Sequence, residues 1–402
     1  MDKAFNQLSE RINSLYPSAT LAMSARSFEL VAAGLDVINL GVGEPDFDTP
    51  SHIREAACKA IDEGWTRYTT GAGLLSLREA ICRKHLRDNG LQYTPGEIVV
   101  SGGAKQSVCN AMLSLVDPGD EVIIPAPYWV SYPQMAILAG GVPVCPATSE
   151  GDGFKLTAAG LEAVITPRSK VLVLCTPSNP SGAVYSAAEL EALAEVILRH
   201  PRLMVISDEV YEHINYTGAH ASIAAVPGMK ERTAVVNGVS KAYAMTGWRI
   251  GWMAAPGWLA AACLKLQGQY TSCPSSVSQK AAEAALDGPQ DCVEMMRQSF
   301  EKRRDLIFGL FSEMPGVKVS KPDGAFYLLP DFSAYIGKSD GDVVIRSDED
   351  LAMYLLERWH VSTVAGTPFG VPGFIRLSYA SSEESLREAT SRIRSALVKL
   401  GV

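Results

Sequence analysis

Residues 233–241, TAVVNGVSK, begin as a β-branched apolar run and end on a serine followed by a lysine. The run has the composition of a strand covered on both faces, as in a parallel sheet flanked by helices. Five more runs share this character: EIVVSGG (97–103), EVIIPAP (121–127), KVLVLCTPSNP (170–180), LMVISDEVY (203–211) and IGWMAAP (250–256). Helix-like segments separate them, which predicts an α/β fold with a largely parallel sheet. Three of the runs end in groups able to do chemistry: Asn179, then Asp208 with Tyr211, then Ser240-Lys241. In open α/β sheets ligands gather outside the carboxyl ends of the strands, so these groups are expected to converge.

At 402 residues the chain exceeds the size at which one core keeps growing, and two lobes are expected. A net charge of −8 with no basic block argues against nucleic acid as a partner. The eight cysteines form no C-x-x-C pair, so neither a zinc ribbon nor a redox dithiol is suggested; they read as buried small apolar residues. The first twenty residues lack the apolar core of a signal peptide, and no apolar run is long enough to span a bilayer, so a cytoplasmic protein without a membrane partner is expected.

Helix signals are local. Ser186-Ala-Ala-Glu189 and Ser381-Ser-Glu-Glu384 have the capping-box pattern. Beyond the second, Leu386, Ile393, Leu397 and Leu400 recur at helical spacing as a core-facing stripe. The polar stretch 291–311 predicts a helix leading into a C-terminal α+β lobe, with the boundary near 290.

SGGAKQ (101–106) follows a predicted strand and precedes a helix-like segment. Its glycines let backbone N–H groups face an anion at a helix N-terminus, the outline of a phosphate cradle. Nucleotide motifs fail by comparison: GAGLLS at Gly71 lacks the third glycine of G-x-G-x-x-G, and GKS at Gly337 has Phe332 where a P-loop needs glycine.

Together with PSAT (17–20), GEPDFDTP (43–50), YTTGAG (68–73), PYWVSYP (127–133), PSNPSGAVY (177–185), SDEVYEH (207–213), SKAYAMTGWRIGW (240–252) and IRLSYA (375–380), these pieces resemble, in this order, a fold-type I enzyme dependent on pyridoxal 5′-phosphate. The likeness is to aspartate aminotransferases of the bacterial type, in the branch that includes prephenate-using relatives. It implies a large domain over residues 46–290, a small domain over 291–402, and an N-terminal segment 1–45 contributing to the small domain and the active-site mouth.

The same resemblance implies roles for individual residues. Lys241 joins the cofactor covalently and acts as general base. Arg249, Ser240 and the backbone amides of Gly103, Ala104 and Lys105 hold the phosphate. Asp208 pairs with the ring nitrogen, Tyr211 and Asn179 bond the phenolic oxygen, and Trp129 stacks on the ring. Arg376 grips the substrate α-carboxylate, with Gly43, Trp129 and Asn179 lining the same place, and Lys105 with Thr20 meets the distal carboxylate. Tyr68 reaches the phosphate of a neighbouring subunit, which makes the protein a homodimer with shared sites.

The expected reaction moves the amino group of aspartate to 2-oxoglutarate by ping-pong kinetics, through amino acid and 2-oxo acid substrates and no metal. A glutamate- or aspartate-dependent prephenate aminotransferase is the alternative. Many relatives have lysine before PSAT where this chain has Tyr16, which counts against prephenate. A carbon–sulfur lyase or decarboxylase would reuse the same cofactor residues. A cofactor-binding transcription regulator is a further alternative, disfavoured by the acidic balance and by a PSAT segment within the first twenty residues.

Overall fold

In the computed structural model, which describes residues 8–401, all six apolar runs form strands. In chain order the strands are β1 (Ile38–Asn39), β2 (Ile98–Ser101), β3 (Glu121–Ile123), β4 (Val142–Val144), β5 (Ser169–Cys175), β6 (Met204–Asp208) and β7 (Thr233–Gly238). They continue with β8 (Gly251–Ala254), β9 (Tyr327–Leu328), β10 (Ser339–Asp340), β11 (Val343–Val344), β12 (Val361–Ser362), β13 (Val364–Ala365) and β14 (Ile375–Ser378).

One sheet has the order β2-β8-β7-β6-β5-β3-β4. From β4 to β7 every pairing is parallel, while β8 runs antiparallel to both β7 and β2. The β-branched composition has its cause here. Val100, Val235 and Trp252 face helices Ser51–Asp62, Leu75–Asn89 and Ser276–Asp287, whereas Val99, Val236 and Met253 face helices Ala104–Leu115 and Gly257–Tyr270. A strand covered on both sides has no polar face to show. The strand absent from the sequence reading, β4, lies at the sheet edge with Pro143 at its centre, where a missing N–H is tolerated.

The predicted helix at 291–311 is present as Asp291–Ser312. Its Phe300, Ile307 and Phe311 share a core with Phe326, Leu377, Leu386, Ile393 and Leu397, so the C-terminal stripe does face a core. Strand β14 pairs antiparallel with both β13 and β9. Strand β1, close to the start of the chain, pairs in parallel with β12, and Leu40 enters the same C-terminal core.

Ser186 and Glu189 form the reciprocal capping box, with Glu189 Oε2 accepting from Ser186 N at 2.7 Å. The last helix is corrected by one residue: Ser382, not Ser381, is the cap and accepts from Ser385 N, so Glu384 closes no box. The cysteines are also corrected. Only Cys263 is buried, while Cys58 on a helix surface and Cys145 beyond the edge strand are exposed; all eight are unpaired. Among the described residues no helix is long and apolar enough to cross a membrane.

Candidate active site

Because β5, β6 and β7 are parallel neighbours in register, with Cys175 opposite Asp208 and Asp208 opposite Val236, their carboxyl ends open onto one space. A cavity of about 340 Å³ lies there. Its wall includes Thr20, Gly43, Ala104, Lys105, Trp129, Asn179, Asp208, Tyr211, Ser240, Lys241, Arg249 and Arg376. Gly103 lies just behind, as the residue that starts helix Ala104–Leu115. Tyr68 is not in this wall; it is 93 % exposed on the surface of the chain.

Lys241 Nζ donates to the Gly43 carbonyl at 2.6 Å. Burial brings its ammonium down to about 8, with Glu44 opposing the shift and Arg376 and Arg249 adding to it. An amine with that value is partly free base near neutral pH, as a nucleophile or general base must be. Asp208, 5 % exposed, accepts from Tyr132 Oη at 2.7 Å and from Val210 N at 3.3 Å. Burial raises its carboxyl to about 6 in spite of those donors.

At the cradle, Gly103 has φ +99°, and a Cβ there would lie 2.5 Å from Arg249 Nη2. Glycine is therefore required both by conformation and by the guanidinium above it. Arg249, itself at φ +58°, donates to Thr246 O at 2.9 Å and Gly102 O at 3.0 Å. Lys105 Nζ lies 4.9 Å from the centre of the Trp129 ring, and burial followed by Arg249 lowers its pKa.

Across the cavity, Arg376 is 2 % exposed. It donates to Asn179 Oδ1 at 3.1 Å and to Gly41 O, and it lies between the rings of Tyr327 at 4.6 Å and Phe369 at 5.1 Å. Its Nε has no partner among the described residues, and burial lowers its pKa. Among the described residues no carboxylate pairs with it.

The donor set fits pyridoxal phosphate on this geometry. There is a glycine-floored helix N-terminus beneath a guanidinium for a phosphate, a buried carboxylate with no ion-pair partner among the described residues for a ring nitrogen, and a buried lysine in the same cavity.

The family model for aminotransferase class I and II matches residues 35–393. The chain belongs to the class I and II aminotransferases. It is 52 % identical over 98 % of its length to the bifunctional aspartate aminotransferase and glutamate/aspartate-prephenate aminotransferase of Petunia hybrida, covering 83 % of that protein. It is 50 % identical to the aspartate/prephenate aminotransferase of Cereibacter sphaeroides, over 96 % of this chain and 98 % of that one. Its fold superposes on the crystal structure of the Rhizobium meliloti aspartate aminotransferase with a TM-score of 0.94 at 47 % identity, covering 98 % of this chain and 100 % of the other. It is a pyridoxal 5′-phosphate-dependent aminotransferase of fold type I, a large mostly parallel α/β sheet joined to a smaller α+β region.

Two members of this aminotransferase's cavity, Tyr132 and Tyr327, carry no signal of their own in the sequence. Tyr132 stands in PYWVSYP three residues after Trp129, and the two rings meet edge to face at 5.3 Å. Tyr327 sits in an apolar run, GAFYLLP, whose residues otherwise belong to the core.

Proposed function

We propose that this aminotransferase moves the amino group of aspartate to 2-oxoglutarate in two half-reactions at the one cavity. The observation that carries the reading is Arg376, a buried guanidinium with an unpartnered Nε and no carboxylate partner among the described residues. An unpaired buried cation is costly, and the carboxylate of an amino acid supplies the missing charge in a bidentate fit. Lys105 is a further cation in the same cavity, suited to a distal carboxylate, with Thr20 beside the same space.

When bound, pyridoxal phosphate withdraws electrons from the substrate Cα. Lys241 takes the Cα proton on Nζ and delivers it again on the other side of the exchange. Asp208 keeps the proton on the ring nitrogen; a cation placed there draws its raised pKa back down. Ser240, Arg249 and the amides of Gly103, Ala104 and Lys105 hold the phosphate. Trp129 covers the ring face, Asn179 and Tyr211 bond the phenolic oxygen, and Gly43 offers backbone to the substrate. Arg376 orients the Cα–H bond by fixing the carboxylate, a large catalytic effect in its own right.

Residues 46–290 serve as the large domain and 291–402 as the small one; the N-terminal segment 1–45, of which 1–7, like 402, lie outside the described residues, contributes to the small domain and the active-site mouth, which the β1–β12 pairing supports. The exposed Tyr68 belongs, in this reading, to the partner's site in a homodimer. Mixing Lys241→Ala with Tyr68→Ala subunits is expected to restore part of the activity that each lacks, through mixed dimers carrying one intact site. Verified exchange without recovery would return Tyr68 to its own subunit. Eight unpaired thiols suit a reducing compartment, and the cytoplasm is the proposed location.

Prephenate transamination is a second reading, supported by the names of the relatives from Petunia hybrida and Cereibacter sphaeroides. Half-reactions of aspartate, glutamate, phenylalanine and prephenate, followed by cofactor absorbance, test both. A charged hydrogen bond contributes roughly 1.5–3 kcal/mol, so Lys105→Ala is expected to lower kcat/KM for aspartate about 10- to 150-fold and to spare phenylalanine. Equal losses on both substrates would remove Lys105 from the distal-carboxylate role.

A further inference from the structure

Tyr327 touches both ends of the cavity. It is 1 % exposed on β9, directly opposite Ser378 of β14. Arg376 lies two residues from Ser378, so Tyr327 and Arg376 project from the same face of the sheet as diagonal neighbours. That register places the ring 4.6 Å from the Arg376 guanidinium. The hydroxyl extends beyond it to the Tyr211 hydroxyl at 2.8 Å. Gly43 leaves room for this reach, because a Cβ there would collide with the Tyr327 hydroxyl. No other hydrogen-bond partner is seen for either phenol among the described residues.

We propose that Tyr327 is a positioning residue that ties the cofactor-side hydroxyl of Tyr211 to the substrate-side guanidinium of Arg376. The inference rests on the roles proposed above for those two residues. Its hydroxyl locks the Tyr211 hydroxyl in place and polarises it, since hydrogen bonds in a buried chain strengthen one another. Its ring face holds the Arg376 guanidinium in the orientation that meets a carboxylate, a contact kept when the carboxylate is bound. Gly43 belongs to the same device: its carbonyl holds Lys241, and its missing side chain admits the phenol.

The two halves of the link separate by mutation. Tyr327→Phe removes the hydroxyl and keeps the ring; Tyr327→Leu removes both. Purified wild type and variants are compared for pyridoxal phosphate dissociation, for the pH at which the bound cofactor's absorbance titrates, and for affinity toward maleate, a dicarboxylate with no amino group. For Tyr327→Phe, loss of one hydrogen bond is expected to weaken pyridoxal phosphate binding about 2- to 12-fold while maleate affinity stays within about twofold. Its absorbance titration is expected to move to higher pH, because a weaker donor stabilises the cofactor's anionic oxygen less. For Tyr327→Leu, maleate binding is expected to weaken by a further factor of about 5 to 30.

Unchanged pyridoxal phosphate affinity and titration in Tyr327→Phe would overturn the hydroxyl half of the link. Equal maleate affinity in the Phe and Leu variants would overturn the ring half. Circular dichroism checks folding, and Tyr327→Met replaces the Leu variant if that one fails to fold. Wild-type protein that took up no pyridoxal phosphate would overturn the site assignment itself and the link with it.

Discussion

Two buried clusters of charge, one around Lys84 and one around Arg376, are built in opposite ways. Lys84, with a side chain 1 % exposed, forms an ion pair with Glu212, whose side chain is 3 % exposed. Asn89 and Asn237 complete the carboxylate, donating to its two oxygens at 2.9 and 2.8 Å. Burial alone would raise the Glu212 carboxyl, yet Lys84 and its neighbours hold it well below the usual range. In the active-site cavity the shifts run the other way. Arg376 and Lys241 are lowered and Asp208 is raised, each first by burial, and each toward its neutral form. Where charges satisfy one another the cluster is structure; where burial exceeds pairing, it suits the proposed role of a cavity that receives its counter-charges with a ligand.

Removing one charge from each cluster tests that contrast. Arg376→Met is expected to lower kcat/KM for dicarboxylic substrates by about 10²- to 10⁴-fold, the loss of two charged hydrogen bonds. Because the cation it removes has no carboxylate partner among the described residues, the urea midpoint of the cofactor-free protein should not fall. Lys84→Met should do the reverse. It strands the Glu212 carboxylate and is expected to cost about 3–5 kcal/mol of stability, with kcat near wild type at temperatures where the variant remains folded. A stability loss at Arg376 as large as that at Lys84 would erase the distinction.

A smaller effect is expected from pH. The folded chain holds Lys241 at about 8 against an ordinary 10.5. Between those values the unfolded chain binds more protons, so this residue makes wild-type stability rise with pH across that window. In cofactor-free protein, Lys241→Met should be the more stable at neutral pH, and its advantage should close as the pH approaches the upper value. Asp208 has the opposite sign: raised from 3.8 to about 6, it contributes stability that is complete below the first value and lost as pH passes the second. Asp208→Asn should flatten that limb in urea titrations. Parallel profiles for wild type and either variant would show that the residue is not held out of its charged state.

Local chemistry in the chain was sufficient for much of this. The β-branched runs announced the strands of a doubly covered sheet because burial on both faces excludes polar residues. Edge strand β4 escaped notice because, half exposed and centred on Pro143, it lacks that composition. Ser186-Glu189 was legible because a capping box spans only four residues, whereas the choice between Ser381 and Ser382 depended on where the helix axis begins.

Within the cavity, Lys241, Asp208 and Asn179 could be read as strand-end groups, since a parallel sheet sends its carboxyl ends to one side whatever its loops do. The motif resemblance supplied Arg249, Arg376 and Lys105 on the same basis of order along the chain. Pairing was not written there. Nothing in GAFYLLP distinguishes Tyr327 from Phe326, because which ring meets the Arg376 guanidinium is set by the register of β9 against β14. Nor does Glu212 differ in local sequence from an acid poised for catalysis; only the fold brings Lys84 to it from a helix 128 residues earlier. Sequence determined which residues can carry charge and which segments must be buried. Tertiary structure decided which buried charges meet an opposite and which are left for a ligand, because Coulomb interactions in a low-dielectric interior depend on distances of a few ångströms that chain order does not contain.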